Sequence, residues 1–135
     1  MNGIRSKWCE VAPFIGQNDI TVITESKIDS FVPSASISVD GFILSRLDRT
    51  IHGGGIVSYI NTSLHPHELT TKQEEYRKLG LEVNLNVVTL KSPEKAVIIG
   101  VYRPPNANKE WFTTFNNLVI ELLPYGQLFV LGDIN

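Results

Sequence analysis

Apolar and polar positions alternate most regularly between Leu81 and Val87, where Leu81, Val83, Leu85 and Val87 are interleaved with Glu82, Asn84 and Asn86. A period of two puts the apolar side chains on one face of a strand and the polar ones on the other. Residues 91–95, with Pro93 among them, form a hairpin loop into a second strand, Ala96 to Tyr102. Pro104 and Pro105, which have no amide to donate, stop that strand. Trp111, Phe115, Leu118 and Leu122 then recur at helical spacing, with Phe112, Val119 and Leu123 beside them. This predicts one amphipathic helix whose stripe packs into the core, closed by Pro124 and Gly126. Gln127 to Gly132 is a last apolar strand.

The first half of the chain is less regular. Trp8, Val11, Ala12 and Ile15 have helical spacing, with Ser6 placed as a cap, but Pro13 interrupts them. An interior proline costs a helix about 3 kcal/mol, so a short or broken helix ending near Gly16 is expected. Asp19 to Thr24 is β-branched and apolar on both faces, which suits a central strand covered on both sides. Phe42 to Arg46 and Ile56 to Ile60 are short strands, separated by a loop that holds Gly53, Gly54 and Gly55. Leu64 to Gly80 has no clear period, and its charges cluster at Lys72 to Lys78. Mixed strands and helices of this kind indicate an α/β (α+β) sandwich. Neither an internal repeat nor a linker divides residues 1–135.

Composition narrows the classes. With 135 residues and 42% hydrophobic content, the chain is long and apolar enough for one small core. The apolar runs Ala96 to Val101 and Leu128 to Leu131 are too short to span a bilayer, and the N-terminus has no signal-peptide pattern, so an intracellular protein is expected. Cys9 is the only cysteine, which excludes an internal disulfide and a multi-cysteine zinc site. A buried small hydrophobe is the expected role for it, ahead of a nucleophile. A net charge of −2 means that any contact with a polyanion is local.

Groups able to carry chemistry stand where strands end. Glu25 follows Thr24, Tyr102 closes its apolar run, and Asp133 and Asn135 follow the last strand. Ligands of open α/β sheets gather at the carboxyl ends of strands. In extended backbone Asp133 and Asn135 point to one side, where a carboxylate and a carboxamide can hold a water and accept its proton. Glu25 suits a hard cation such as Mg²⁺, which takes few protein ligands and keeps most of its waters. Taken singly, each has a plainer reading as a solvated surface group or a turn. His52-Gly53-Gly54-Gly55 resembles an esterase oxyanion loop, but there is no Gly-x-Ser-x-Gly elbow to accompany it. His65-Pro66-His67 reads as an exposed loop.

Several short motifs, taken in order, resemble the endonuclease/exonuclease/phosphatase (DNase I-like) family in the branch carried by non-LTR retrotransposons. These are Asn2-Gly3-Ile4-Arg5-Ser6-Lys7, Thr24-Glu25-Ser26-Lys27-Ile28-Asp29, Asp40-Gly41-Phe42, Arg46-Leu47-Asp48-Arg49, the three glycines with Tyr59, Tyr102-Arg103-Pro104-Pro105-Asn106 and Gly132-Asp133-Ile134-Asn135. The resemblance implies a partial DNase I-like two-sheet sandwich flanked by helices. It also implies Mg²⁺-dependent phosphodiester hydrolysis, with Mn²⁺ as substitute, DNA as partner and a nuclear location. On the matched positions Glu25 is the metal ligand, Tyr102 approaches the scissile phosphate, and Asp133 and Asn135 orient and deprotonate the attacking water. Arg46 and Arg49 match basic positions, read either as phosphate contacts or as a solvated loop with a salt bridge to Asp48. The family's first strand, an asparagine ahead of Asn2, a late aspartate and an Asp-His pair have no counterpart. The chain is therefore expected to be one incomplete domain, an inactive fragment that self-associates through uncovered strand edges. A non-catalytic binding remnant, or a family phosphatase acting on another phosphoester, is the alternative.

Overall fold

The computed structural model describes residues 4–49 and 54–134. A 3₁₀ turn, Ile4–Lys7, runs into α1 (Trp8–Gly16) and then β1 (Ile20–Thr24). After a second 3₁₀ turn, Ser34–Ile37, come β2 (Phe42–Leu47), β3 (Ile56–Asn61), β4 (His67–Glu68) and α2 (Thr70–Arg77). β5 (Val83–Lys91) and β6 (Glu94–Tyr102) form a hairpin, followed by α3 (Lys109–Leu122) and β7 (Gln127–Asp133).

Two sheets result, in strand order β1-β3-β2 and β4-β5-β6-β7. All pairs are antiparallel except β6 with β7, which are parallel and joined by α3 as a crossover. The sheets face one another through Ile60, Val88, Ala96 and Ile98, with Ile20 and Val22 beside them. At Gly100 they approach so closely that a Cβ would lie 3.1 Å from Ile56 and 3.2 Å from Val22. On the far side of β5 and β6, Val83, Leu85, Val97, Ile99 and Val101 pack against Tyr76 of α2 and Trp111, Leu118 and Leu122 of α3. The outer face of the first sheet, including Val57 and Tyr59, packs on Trp8, Val11 and Ile15 of α1 and on Ile28, Val32 and Ile37 of the loop that follows β1. This mixed α+β arrangement supplies the covering layers that the apolar faces of β5 and β6 require.

Several expectations are corrected. β1 is an edge strand, and the central strand is β3, whose Ile56 to Ile60 are all buried. Apolar character on both faces reports what lies above and below a strand, not what lies beside it. β1 is sandwiched between β6 and α1 yet has one unpaired side. The polar face of β5 is also buried, with Asn84 and Asn86 between the sheets. There Asn84 Nδ2 donates to Ser45 Oγ at 2.8 Å, Asn86 Nδ2 to Asn84 Oδ1 at 3.1 Å, and Ser58 Oγ bonds Asn84 Oδ1. Ser45 Oγ in turn donates to Glu68 Oε1 at 2.6 Å. The irregular stretch before Gly80 contains β4 and α2, a helix that buries only Gln73 and Tyr76 and so shows no apolar period. Cys9 is exposed on α1, a helix that buries Ile15. Nor is there a serine cap on α1: its N-cap position is Lys7, with no side-chain cap bond. No helix among the described residues is long and apolar enough to cross a membrane.

Candidate functional site

Three of the strand-end groups are brought together. β6 and β7 run parallel in register, and their last rung pairs Tyr102 with Asp133. The Arg103 amide then donates to the Asp133 carbonyl at 2.7 Å. Gly132, with φ of 136°, allows this close approach, since a Cβ there would lie 1.9 Å from the Val101 carbonyl oxygen. β1 crosses β6 on the inner face, and the residue after its last rung, Glu25, comes near enough for its charge to act on the Tyr102 phenol. Tyr102 is therefore flanked by carboxylates from two different sheets.

Electrostatics follow from this placement. Burial holds the Tyr102 phenol above its ordinary pKa, the negative charges of Glu25 and Asp133 raise it further, and Arg49 opposes them. All favour the neutral phenol except Arg49, which would stabilise a phenolate. Arg49 is half exposed and lies 3.7 Å from Glu82, a loose ion pair that leaves its guanidinium open to solvent.

Arg46 stands elsewhere. It lies on the α1 side of β2, where Nε and Nη2 grip both oxygens of Asp48 at 2.9 and 2.7 Å. Its remaining N–H groups reach the Val32 carbonyl at 2.7 Å, the Asp29 carbonyl at 2.9 Å and Ser34 Oγ at 3.2 Å. With five donors engaged, a guanidinium has none left to offer a phosphate. Its work is to pin the 29–34 loop. Asn135, Asn2 and His52 lie outside the described residues.

Other residues matter here that spacing alone did not single out. Arg103 lays its guanidinium 5.0 Å above the Phe112 ring and bonds the Ile134 carbonyl at 3.3 Å, tying the end of β7 to β6 and α3. Ser26 is wholly buried behind Glu25, its amide bonded to the Gly55 carbonyl at 3.3 Å and its own carbonyl to the Ile4 amide at 3.1 Å. A glycine inside an otherwise apolar strand, Gly132, was a legible sign of close backbone approach.

Chemically, two carboxylates beside a neutral phenol offer hard oxygen donors to a cation and a proton acceptor to a water. Among the described residues no group of three or more His, Cys, Asp or Glu is placed to hold a metal ion, so the site is not a closed chelating cage. No protein-family model and no curated protein matches this chain.

Proposed function

We propose that the chain carries a phosphodiester-hydrolysing site of the DNase I-like, retrotransposon-endonuclease type, with DNA as substrate. The observation that supports this reading is the gathering of Glu25, Tyr102 and Asp133 at one end of two facing sheets, with Arg49 beside them. Glu25 is the residue that would hold Mg²⁺ or Mn²⁺, which when bound supplies Lewis acidity toward a phosphoryl oxygen. Asp133 accepts the proton of the attacking water, with Asn135 orienting it. Tyr102, kept neutral by the flanking carboxylates, donates its O–H to a non-bridging phosphate oxygen. Arg49 contributes positive charge on the substrate side. The reaction needs several groups acting as a unit, and the late aspartate and Asp-His pair that the resemblance calls for have no counterpart here to join Tyr102 and Arg49 in stabilising charge on the phosphorane. This chain alone therefore orients substrate and water without cutting at a useful rate.

Relaxation of supercoiled plasmid with Mg²⁺ or Mn²⁺ tests the reading, comparing this chain with one extended at both ends. The extended chain should nick, and Asp133→Ala should nearly abolish the nicking. An extended chain that binds DNA but never nicks it would favour a non-catalytic binding role instead.

A further inference from the structure

The end of the second sheet that holds Tyr102 carries one more charged group, Glu82. β5 and β6 are antiparallel, with Asn84 paired to Gly100 and Val83 to Val101. Glu82 and Tyr102 are the next residues along the two strands. Asn84 and Gly100 face the first sheet, where Asn84 bonds Ser58 and Gly100 lies against Ile56 and Val22. Two residues on, alternation turns Glu82 and Tyr102 to that same face. Asp133, the register partner of Tyr102 on β7, shares it. Three neighbouring strands thus set Glu82, Tyr102 and Asp133 in a row, with a carboxylate on either side of the phenol.

Arg49 meets this row from the other sheet. It lies two residues beyond Leu47, where β2 ends, and its Nε is 3.7 Å from Oε1 of Glu82. The two charges pair, but the distance is too long for a hydrogen bond. Both side chains also keep contact with water, 50% of Arg49 and 29% of Glu82 being exposed. A pair of this kind contributes little to stability, so the guanidinium is loosely held. Arg46, three residues earlier, is the contrast: both oxygens of Asp48 and two loop carbonyls engage its guanidinium. A phosphate binds a guanidinium through two parallel charge-assisted bonds, a stronger arrangement than the one Glu82 offers.

We infer that Glu82 stands in for substrate phosphate in the free chain, holding Arg49 at the mouth of the site and yielding its guanidinium to a phosphate of DNA. The inference rests on the site proposed above and adds to it a residue that sets affinity. Its signature is a gain. Glu82 and phosphate compete for one cation, so removing the carboxylate tightens DNA binding, whereas loss of a merely structural contact weakens it. The gain also requires Arg49. A carboxylate acting only as a nearby negative charge would oppose DNA with or without that arginine.

The test is the anisotropy of a fluorescein-labelled duplex oligonucleotide titrated with the full chain, at low salt and with EDTA. The chains compared are the unaltered one, Glu82→Gln, Arg49→Ala and the double variant. Arg49→Ala should weaken binding. Glu82→Gln should tighten it by roughly two- to fivefold, the range that an exposed ion pair corresponds to, and should change nothing in the Arg49→Ala background. Glu82→Asp keeps the charge but draws the carboxylate back from Arg49. It too should tighten binding, and it carries the test if Glu82→Gln does not fold. Glu94→Gln removes the same charge at the far end of the β5–β6 hairpin and should leave affinity in place. A gain in Glu82→Gln that persists without Arg49, or is matched by Glu94→Gln, is general charge repulsion and overturns the inference. Unchanged or weaker binding in Glu82→Gln and Glu82→Asp overturns it as well. In each of these cases a weakened Arg49→Ala leaves the site reading standing. Affinity untouched by Arg49→Ala, or no binding by any of the chains, removes the DNA-site reading itself and the inference with it.

Discussion

Tyr102 and Asp133 are register partners on the last rung of the β6–β7 ladder, and the next bond along, from the Arg103 amide to the Asp133 carbonyl, is 2.7 Å long. A parallel ladder thus delivers a phenol and a carboxylate side by side without any loop. It depends on Gly132, whose missing side chain leaves room for the Val101 carbonyl. Gly132→Ala should destabilise the chain by roughly 1–3 kcal/mol from backbone strain alone, and by more if β7 shifts. The urea denaturation midpoint reads this directly. A change smaller than about 0.5 kcal/mol, ordinary for an exposed surface position, would mean that β7 does not approach β6 as described.

Alkaline pH should destabilise the fold. Burial pushes the Tyr59 phenol up, and its O–H donates to the Ile37 carbonyl at 2.6 Å. Tyr76 is likewise raised by burial and by its bond to Glu121, and Tyr102 by burial and its flanking carboxylates. A phenol whose pKa is raised on folding contributes stability that is complete below its unfolded value, near pH ~10, and is lost as pH rises through the folded value. Denaturant unfolding should therefore show stability falling as pH climbs past that point, with a shallower fall in Tyr59→Phe. A flat profile there would contradict the burial of these phenols.

The buried polar face of β5 gives a separate expectation. Asn84 joins Ser58, Ser45 and Asn86 between the sheets. Asn84→Ala takes from the Ser58 hydroxyl its bond and from Ser45 and Asn86 one partner each, and should cost about 1–3 kcal/mol. An unchanged thermal midpoint would mean that water reaches the face and the sheets are not closed over it.

Much of this fold was legible because period reports burial. Val83, Leu85, Trp111, Leu118 and Leu122 stood out as apolar stripes, and they form one cluster. What was hidden is what period does not encode. Asn84 and Asn86 look solvated because each is polar, but they satisfy one another across a sheet interface. α2 was invisible because its inner face is Gln73 and Tyr76, and Gln73 bonds the Leu85 amide at 2.6 Å where an apolar residue would have marked the helix. At the site, strand-end position picked out Glu25, Tyr102 and Asp133. It could not separate Arg49, beside Tyr102, from Arg46, which is three residues earlier and locked to Asp48.

Self-association is expected through β7. It is the outer strand of its sheet, and Gln127 to Gly132 carry no charge or proline to discourage pairing. Phe129, Val130, Leu131 and Ile134 are 39%, 42%, 37% and 45% exposed. Light scattering should show species larger than a monomer, reduced by Val130→Lys. A monodisperse monomer at all concentrations would defeat this, whatever the state of the site.

Metal binding supplies the last test. Mg²⁺ gives up its water reluctantly and needs several well-placed oxygens before a protein holds it tightly. Glu25 is the ligand proposed above and Asp133 the other carboxylate acting on Tyr102, with no group of three His, Cys, Asp or Glu placed to hold a metal among the described residues. Affinity should therefore be millimolar or weaker, in keeping with a cation bound largely through its waters. Because a carboxylate carries the interaction, affinity should fall in Glu25→Gln, which keeps shape and removes charge. It should fall less in Arg49→Gln, or even rise, since that change removes a nearby positive charge that repels the cation. Titration calorimetry across these three chains decides the matter. Tight binding, or weak binding unaffected by Glu25→Gln, would take Glu25 out of the metal-holding role and with it the first step of the proposed chemistry.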